Sequence, residues 1–291
     1  MNEVERARIT VLLENAPKYD TYLKGCFGLS LWIEVRTQGV EKKILFDVGP
    51  LAEPLLYNAE ALDIDISDVD LIVLSHCHFD HTAALADLMG HIDGEVPVLA
   101  HPEIFRQVFK LDPGFMDYGM SGRNSRANLE GLGARFILSK SPLEVFPGVM
   151  YSGEIPRKEA FEERGGVSSF TIDDGGETVA DAIRDDVSLA VNLGDRGLVI
   201  LTGCAHAGPI NSIRHLGTVT GVERIEGIMG GFHLLEADST RVDETVKRLG
   251  EFAPTWIAPM HCTGLIPSAR IADAFPEAFQ ELHAGDVLEL L

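Results

Sequence analysis

Apolar and polar positions alternate or run together in short blocks through the first third of the chain, and the blocks end at Gly, Pro or charged residues. "RITVLLEN" (8–15), "LSLWIEVRT" (29–37) and "KILFDVG" (43–49) read as strands, and their succession predicts an antiparallel sheet layer. "PLLYNAEALDI" (54–64) changes period, with Leu55, Leu56, Ala59 and Leu62 at helical spacing. "SDVDLIVLSH" (67–76) then predicts a buried strand, and "TAALADLMGHI" (82–92) a helix. Residues of about 112–170 are rich in Gly, Pro, Arg and Asn ("DPGFMDYGMSGRNSRANLEGLG", "EERGGVSS"), a composition of long loops or a cap. Strand-like runs return in "DVSLAVNL", "GLVILTGC", "RIEGIMGGFHLL" and "PTWIAPMHC". Helical segments 208–217 and 240–252 separate the last of them. Strands followed by helices in both halves fit two sheets with helices outside, an α/β arrangement in one domain over 1–291 with a cap-like insertion at about 112–170.

Charge narrows the function. The formal net charge is -21, which repels the phosphates of nucleic acid and anionic membranes, so neither is an expected partner. The charged start "MNEVERARITVLLENAP" lacks the apolar core of a signal peptide, and no apolar run approaches a membrane span, so a cytoplasmic location is expected. Four cysteines with no CxxC pair are too few for a disulfide scaffold. Homo-oligomer formation is compatible with all of this.

The densest chemistry is "SHCHFDH" (75–81). His76 and His78 lie two apart at a strand end and leave on one side, Cys77 is out of phase with them, and Asp80 and His81 come from the following turn. Imidazoles with a carboxylate suit zinc, iron or manganese. This HxHxDH pattern, preceded by Asp47 in "LFDVG", resembles the metallo-β-lactamase superfamily. The resemblance implies an αββα sandwich of two mixed sheets with helices on the outer faces and a site for one or two divalent metals, zinc foremost, at one edge. It places His76 and His78 at one metal position and Asp80 and His81 at the other, with Asp47 as support. It also asks for later ligands. "TGCAHAG" offers Cys204, where the superfamily usually has an aspartate, and His206; "APMHCTG" offers His261. His233 in "GGFHL" is expected to meet substrate or give a proton, and Asp80 is expected to share in catalysis.

The series "GLSLWIE", "ILFDVG", "SGEIPR", "TGCAHAG", "GGFHL" and "HCTG" resembles, across nearly the whole chain, a branch that includes the dihydropterin-(ribofuranosyl)aminobenzene 5'-phosphate synthases. That implies an enzyme acting on a small phosphorylated, pterin-like or aryl substrate, with Arg157 and Lys158 as candidate phosphate contacts. The alternative is a hydrolase of phosphodiesters or other esters using metal-activated water. A diiron redox protein is a weaker fit, because His78 stands where that type has an acidic residue. A non-catalytic metal-binding module is the remaining alternative.

Overall fold

In the computed structural model, which describes residues 1–162 and 169–290, the alternation along each strand sorts side chains onto two faces of two large sheets. The first sheet contains β1 (Arg6–Leu13), β2 (Ser30–Thr37), β3 (Val40–Phe46), β4 (Leu71–Val73), β5 (Val96–Ala100), β8 (Ala134–Leu138) and β17 (Val287–Leu290), in the order β17-β1-β2-β3-β4-β5-β8. β1, β2 and β3 pair antiparallel as the sequence predicts, β17 adds to β1 antiparallel at the edge, and β4, β5 and β8 continue parallel.

The second sheet contains β9 (Leu143–Phe146), β10 (Val149–Tyr151), β13 (Ser188–Asn192), β14 (Leu198–Thr202), β15 (Ile225–Gly231) and β16 (Trp256–Met260), in the order β16-β15-β14-β13-β10-β9. Its strands β14, β15 and β16 are mutually parallel, so their C-terminal ends lie at one edge.

β14 shows how sequence becomes layers. Val199 and Leu201 point into a core shared with Ile9, Leu31, Phe46 and Val73 of the first sheet, whereas Leu198 and Ile200 point outward to helices. Both faces are buried, so the strand reads as a continuous apolar run. The outer face of the second sheet is covered by α5 (Pro209–Thr220), α6 (Ser239–Phe252) and α7 (Leu265–Ala274) through Ile213, Leu216, Val242, Leu249 and Ile271. The outer face of the first is covered by α1 (Ala52–Ala61), α3 (Leu85–Leu88) and α4 (Arg126–Gly131) through Leu55, Leu85, Leu88 and Leu129. The result is an αββα sandwich. No helix among the described residues is long and apolar enough to cross a membrane.

Two stretches differ from the sequence reading. A continuous helix over 82–92 does not form; α2 (Phe79–Thr82) and α3 are separate turns. The Asn124 side chain donates to Ala83 O and accepts from Ala86 N, taking backbone groups a continuous helix would use internally. Within 112–170, β8, β9 and β10 belong to the two main sheets. β6 (Phe109–Lys110) and β7 (Met116–Asp117) instead join β11 (Phe170–Ile172) and β12 (Thr178–Ala180) in a small third sheet. Most of the "EERGGVSS" loop lies outside the described residues.

Candidate metal centre

β4 runs out at Val73 and delivers His76, His78, Asp80 and His81 within eight residues; Cys204 and His206 follow β14, His233 follows β15 and His261 follows β16. These strand ends converge, and the backbone bends sharply there. Asp47, Ala205, His233 and His261 all have φ between 47° and 60°, a left-handed conformation that costs a non-glycine residue on the order of 1 kcal/mol or more. Such strain concentrates where side chains are aimed for function.

Asp47 organises the first loop. Its Oδ1 accepts from the Ser75 backbone N–H, and its Oδ2 accepts from Ser75 Oγ and from His81 Nδ1, each at 2.7 Å. With its hydroxyl proton committed to Asp47, Ser75 Oγ accepts from His76 Nδ1 at 2.9 Å. His76 and His81 therefore both turn Nε2 away from Asp47 and into the site. His261 is held similarly: Nδ1 donates to Asn15 Oδ1 at 3.1 Å, and its backbone N–H donates to Glu14 Oε1 at 2.8 Å.

The inward atoms form two groups. His81 Nε2 lies 3.1 Å from Cys204 Sγ, 3.3 Å from His261 Nε2 and 3.7 Å from Asp80 Oδ2, and His261 Nε2 lies 3.2 Å from Asp80 Oδ2. Nitrogen and oxygen donors at about 2.0–2.1 Å and a sulfur at about 2.3 Å from one tetrahedral zinc would stand roughly 3.3–3.6 Å apart, so this set fits a divalent ion. In the second group His76 Nε2 is 3.0 Å from His78 Nδ1, and donor atoms of His76, Cys204 and His206 lie within 4.8 Å of one another. His206 is wholly buried and neither ring nitrogen has a hydrogen-bond partner among the described residues. One buried unsatisfied polar atom costs about 1–3 kcal/mol, so two on one ring ask for a ligand such as a metal ion. His78 Nε2, Asp80 Oδ1 and His233 Nδ1 are also buried and without a hydrogen-bond partner among the described residues.

Electrostatics suit the same ligand. Burial, reinforced by neighbouring cationic groups, pushes His76 and His206 well below the usual histidine range, and burial likewise lowers His78, so all three are neutral and have a lone pair to give. Burial opposes ionisation of Asp80, yet His81 and His261 hold it below the ordinary carboxylate range. Burial also disfavours charge on His81, but Asp47 and Asp80 outweigh it and raise its pKa to about 9. Burial pushes the Cys204 thiol up. A cation entering here would displace protons from His81 and Cys204.

A pH prediction follows for the chelated protein. Because the folded pKa of His81 lies above its unfolded value of about 6.5, protonation stabilises the fold. That contribution, roughly 3 kcal/mol at most, is fully present below pH ~6.5 and is lost as pH rises through about 9. Thermal melts without metal should fall across this window, and Asp47→Asn should flatten the fall. An equal slope in wild type and variant would remove Asp47 from the account.

Of the expected substrate contacts, Arg157 lies near enough for its charge to add to burial in lowering the pKa of His206, and Lys158 lines a separate hollow. Arg157 Nη2 donates to the carbonyl oxygens of Ala182 and Ile183 at 2.6 and 3.1 Å. Lys158 is exposed and lines a cavity of about 530 Å³ with Asn211, Arg214 and His215 on the outer side of α5. A larger surface depression of about 1120 Å³ runs along α1. Neither hollow is lined by any of the converging histidines, so donor geometry, not cavity size, marks the site. Aromatic rings border it: Tyr118 packs edge-on to His78 at 4.8 Å, and Phe27 lies 5.1 Å from the His261 ring.

Sequence reasoning missed the outer supports. Asp185 Oδ2 accepts from the Cys77 backbone N–H at 2.7 Å, fixing the loop between His76 and His78, while Asp185 Oδ1 pairs with Arg106 at 2.7 Å. Asp186 Oδ2 accepts from Ala207 N–H at 2.8 Å and steadies the turn carrying His206. Burial raises Asp186 to about 7. The only sequence signal was the acidic pair before an apolar strand.

Comparison with known proteins bears on the family and the fold. The family model of the metallo-beta-lactamase superfamily matches residues 23–209. A 7,8-dihydropterin-6-methyl-4-(beta-D-ribofuranosyl)-aminobenzene-5'-phosphate synthase of Methanocaldococcus jannaschii is 35% identical over 99% of this chain and 98% of its own. An uncharacterised protein of the same organism is 29% identical over 90% of this chain and 92% of its own. Among solved structures, a metal-dependent hydrolase of the beta-lactamase superfamily superposes with a TM-score of 0.75 at 24% identity, covering 97% of this chain and 98% of that one.

Proposed function

The chain belongs to the metallo-beta-lactamase superfamily and is an enzyme, and from that premise we propose that it couples a pterin-methyl diphosphate to a ribosylaminobenzene phosphate with release of pyrophosphate. The observation that carries a metal-dependent reaction is His206, buried with both nitrogens unpartnered beside the inward-facing His76 and His78. The particular substrate is supported by the 35% identity to the synthase, which extends end to end. His76, His78 and His206 would hold one metal and Asp80, His81 and His261 a second, with Cys204 adjoining both. Zinc suits these donors best, with iron or manganese next.

When bound, a divalent metal withdraws charge from a phosphoryl oxygen or lowers the pKa of water toward ~7. The chain supplies the rest. Asp47 and Asn15 fix the tautomers of His81 and His261, so the donor nitrogens are aimed before substrate arrives. His233, half-buried with an unpartnered Nδ1 and its ring centre 4.2 Å from that of His206, is placed to give or take a proton at the substrate. Asp80 serves as both ligand and electrostatic partner. The rings of Tyr118 and Phe27 border the space a flat substrate would use. Arg157, whose charge reaches His206, and Lys158 beside it are the candidate contacts for the substrate phosphate. A cytoplasmic location, with no nucleic-acid partner, accords with the net charge of -21.

The second reading, hydrolysis of a phosphodiester or other ester, is favoured by the metal-dependent hydrolase that shares this fold. One trial separates the two: metal-loaded protein is offered the pterin diphosphate with its aryl partner, simple phosphodiesters and a β-lactam. Coupled product with pyrophosphate is the expected result. Phosphodiester cleavage alone would move the enzyme to the hydrolase reading, and rapid lactam opening alone would reject both. In the same assay His233→Ala should keep its metal and turn over about 10²–10⁴-fold more slowly. Unchanged turnover would return His233 to a structural part.

A further inference from the structure

Acidic residues outnumber basic ones by 45 to 24, and the chain pairs most of its lysines with them. Lys18, Lys24, Lys42, Lys43, Lys140 and Lys247 each form an ion pair with a carboxylate. Lys110 forms none among the described residues, and it is set against an aromatic ring at the edge of the metal centre instead.

The small third sheet puts it there. Phe109 and Lys110 are consecutive in β6 and point to opposite faces. Phe109 stacks with Phe115 and Phe170, ring centres 5.8 and 6.2 Å away, which sends Lys110 to the other face. There its Nζ lies 4.2 Å from the centre of the Tyr118 ring, a cation–π distance. Tyr118 is held at both ends of its backbone: its N–H donates to Val108 O at 2.8 Å, and its carbonyl accepts from Phe79 N–H at 3.0 Å. Phe79 stands between His78 and Asp80, so the sheet is tied directly to the loop that carries those donors. The Tyr118 ring packs edge-on to His78 at 4.8 Å and to Phe79 at 5.1 Å. Lys110 and Tyr118 are both half-buried, open to whatever enters the site.

We propose that Lys110, steadied on the Tyr118 ring, binds the phosphate of the aryl co-substrate that takes no part in bond breaking. This deepens the coupling reading proposed above and rests on it. That reaction brings two phosphate groups of different fate to one site: a diphosphate that leaves and a monophosphate that stays on its sugar. The metal positions, with Arg157 near His206, serve the first. The second needs a cation at the border of the site, clear of the reacting atoms. Lys110 is bonded to none of the donor residues among the described residues, so it borders them without joining them. A lysine ammonium is a compact charge with rotatable donors, and an aromatic face orients it without neutralising it as a carboxylate would. Binding energy from such a remote group holds the reacting ring in position.

The aryl phosphate and its dephosphorylated counterpart, each offered with the pterin diphosphate to zinc-loaded protein, test this. Wild type should prefer the phosphorylated compound, and Lys110→Met should lose roughly 10–100-fold of that preference in kcat/KM, the worth of a hydrogen bond to a charged group. The loss should lie mainly in KM for the aryl phosphate, and Lys110→Arg should recover most of it. An unchanged preference in Lys110→Met, or an equal loss on both aryl compounds, would overturn the assignment. Calorimetric titration of the two aryl compounds into wild type and Lys110→Met separates this from the coupling reading. Tighter binding of the phosphorylated compound that Lys110→Met abolishes, with no coupled product, rejects coupling and keeps the subsite. Equal binding of the two compounds, or a difference that Lys110→Met retains, rejects the subsite whether or not coupling occurs.

Discussion

His206→Leu will melt at a higher temperature than wild type when both are stripped of metal, and at a lower temperature when both are loaded. In the metal-free protein His206 places two polar nitrogens in a buried site with no partner for either among the described residues. Leucine is close in volume and asks for no hydrogen bond, so the variant sheds a penalty of about 1–3 kcal/mol per unsatisfied atom. With metal present the balance reverses, because the wild type gains binding energy in the folded state that the variant lacks. Bound metal should fall from two ions towards one per chain. Turnover should fall at least as far as the ~10²–10⁴-fold typical of losing an acid–base group. Calorimetry with and without chelator, beside metal analysis, gives the comparison. A histidine that merely packs would lose stability on replacement in both states, and that outcome would remove His206 from the ligand set.

The contrast between His206 and its supports explains what could be read from the sequence. His76, His78, Asp80 and His81 are legible because one turn compresses them into six residues, and chemistry at that density has few other uses. Cys204, His206, His233 and His261 are legible because each directly follows an apolar strand, and parallel strands bring their C-terminal ends to one edge. The supports have no such signature. Cys77 and Asp185 meet across 108 residues, and Asn15 reaches His261 across 246. Nothing local to either partner announces the other; only the sandwich brings them together.

The same reasoning explains the less legible strands. β8, β9 and β10 lie in a stretch whose Gly and Pro content reads as loop, and only their partners in the two large sheets make them strands. Arg157 and Lys158 show the converse. Their charge signals a role for a phosphate, but charge has no direction in a sequence; in the fold one nitrogen of the Arg157 guanidinium donates to backbone carbonyls while its charge also acts on His206. The helix expected over 82–92 fails for a related reason: Asn124, some forty residues away, supplies the hydrogen bonds that break it.

Arg106 is the support whose loss should cost the fold most. Its Nε and Nη2 donate to the two oxygens of Asp181 at 3.0 and 2.7 Å, and Nη1 pairs with Asp185 at 2.7 Å and donates to Glu103 O at 3.1 Å. The Asp181 and Asp185 side chains are 3% and 0% exposed, so Arg106→Met leaves two carboxylates buried without their cation. Breaking a buried pair from one side costs about 3–5 kcal/mol, which for a chain of this size lowers the melting temperature by on the order of 10 °C. The loss should also reach the metal. Asp185 Oδ2 holds the Cys77 N–H, and with it the peptide between His76 and His78; disturbing an outer partner of this kind typically weakens metal affinity about 10–100-fold. Arg106→Lys keeps the charge but loses the fork that grips both oxygens of Asp181, so it should fall between wild type and Arg106→Met in both readings. Adding Asp185→Asn to Arg106→Met should recover part of the stability, by removing one uncompensated charge, while leaving metal affinity low, because the amide grips the Cys77 N–H less strongly than a carboxylate does. Melting curves and competitive metal titration read the two effects separately, and wild-type values of both in Arg106→Met would dismiss this buried network as a support of the site.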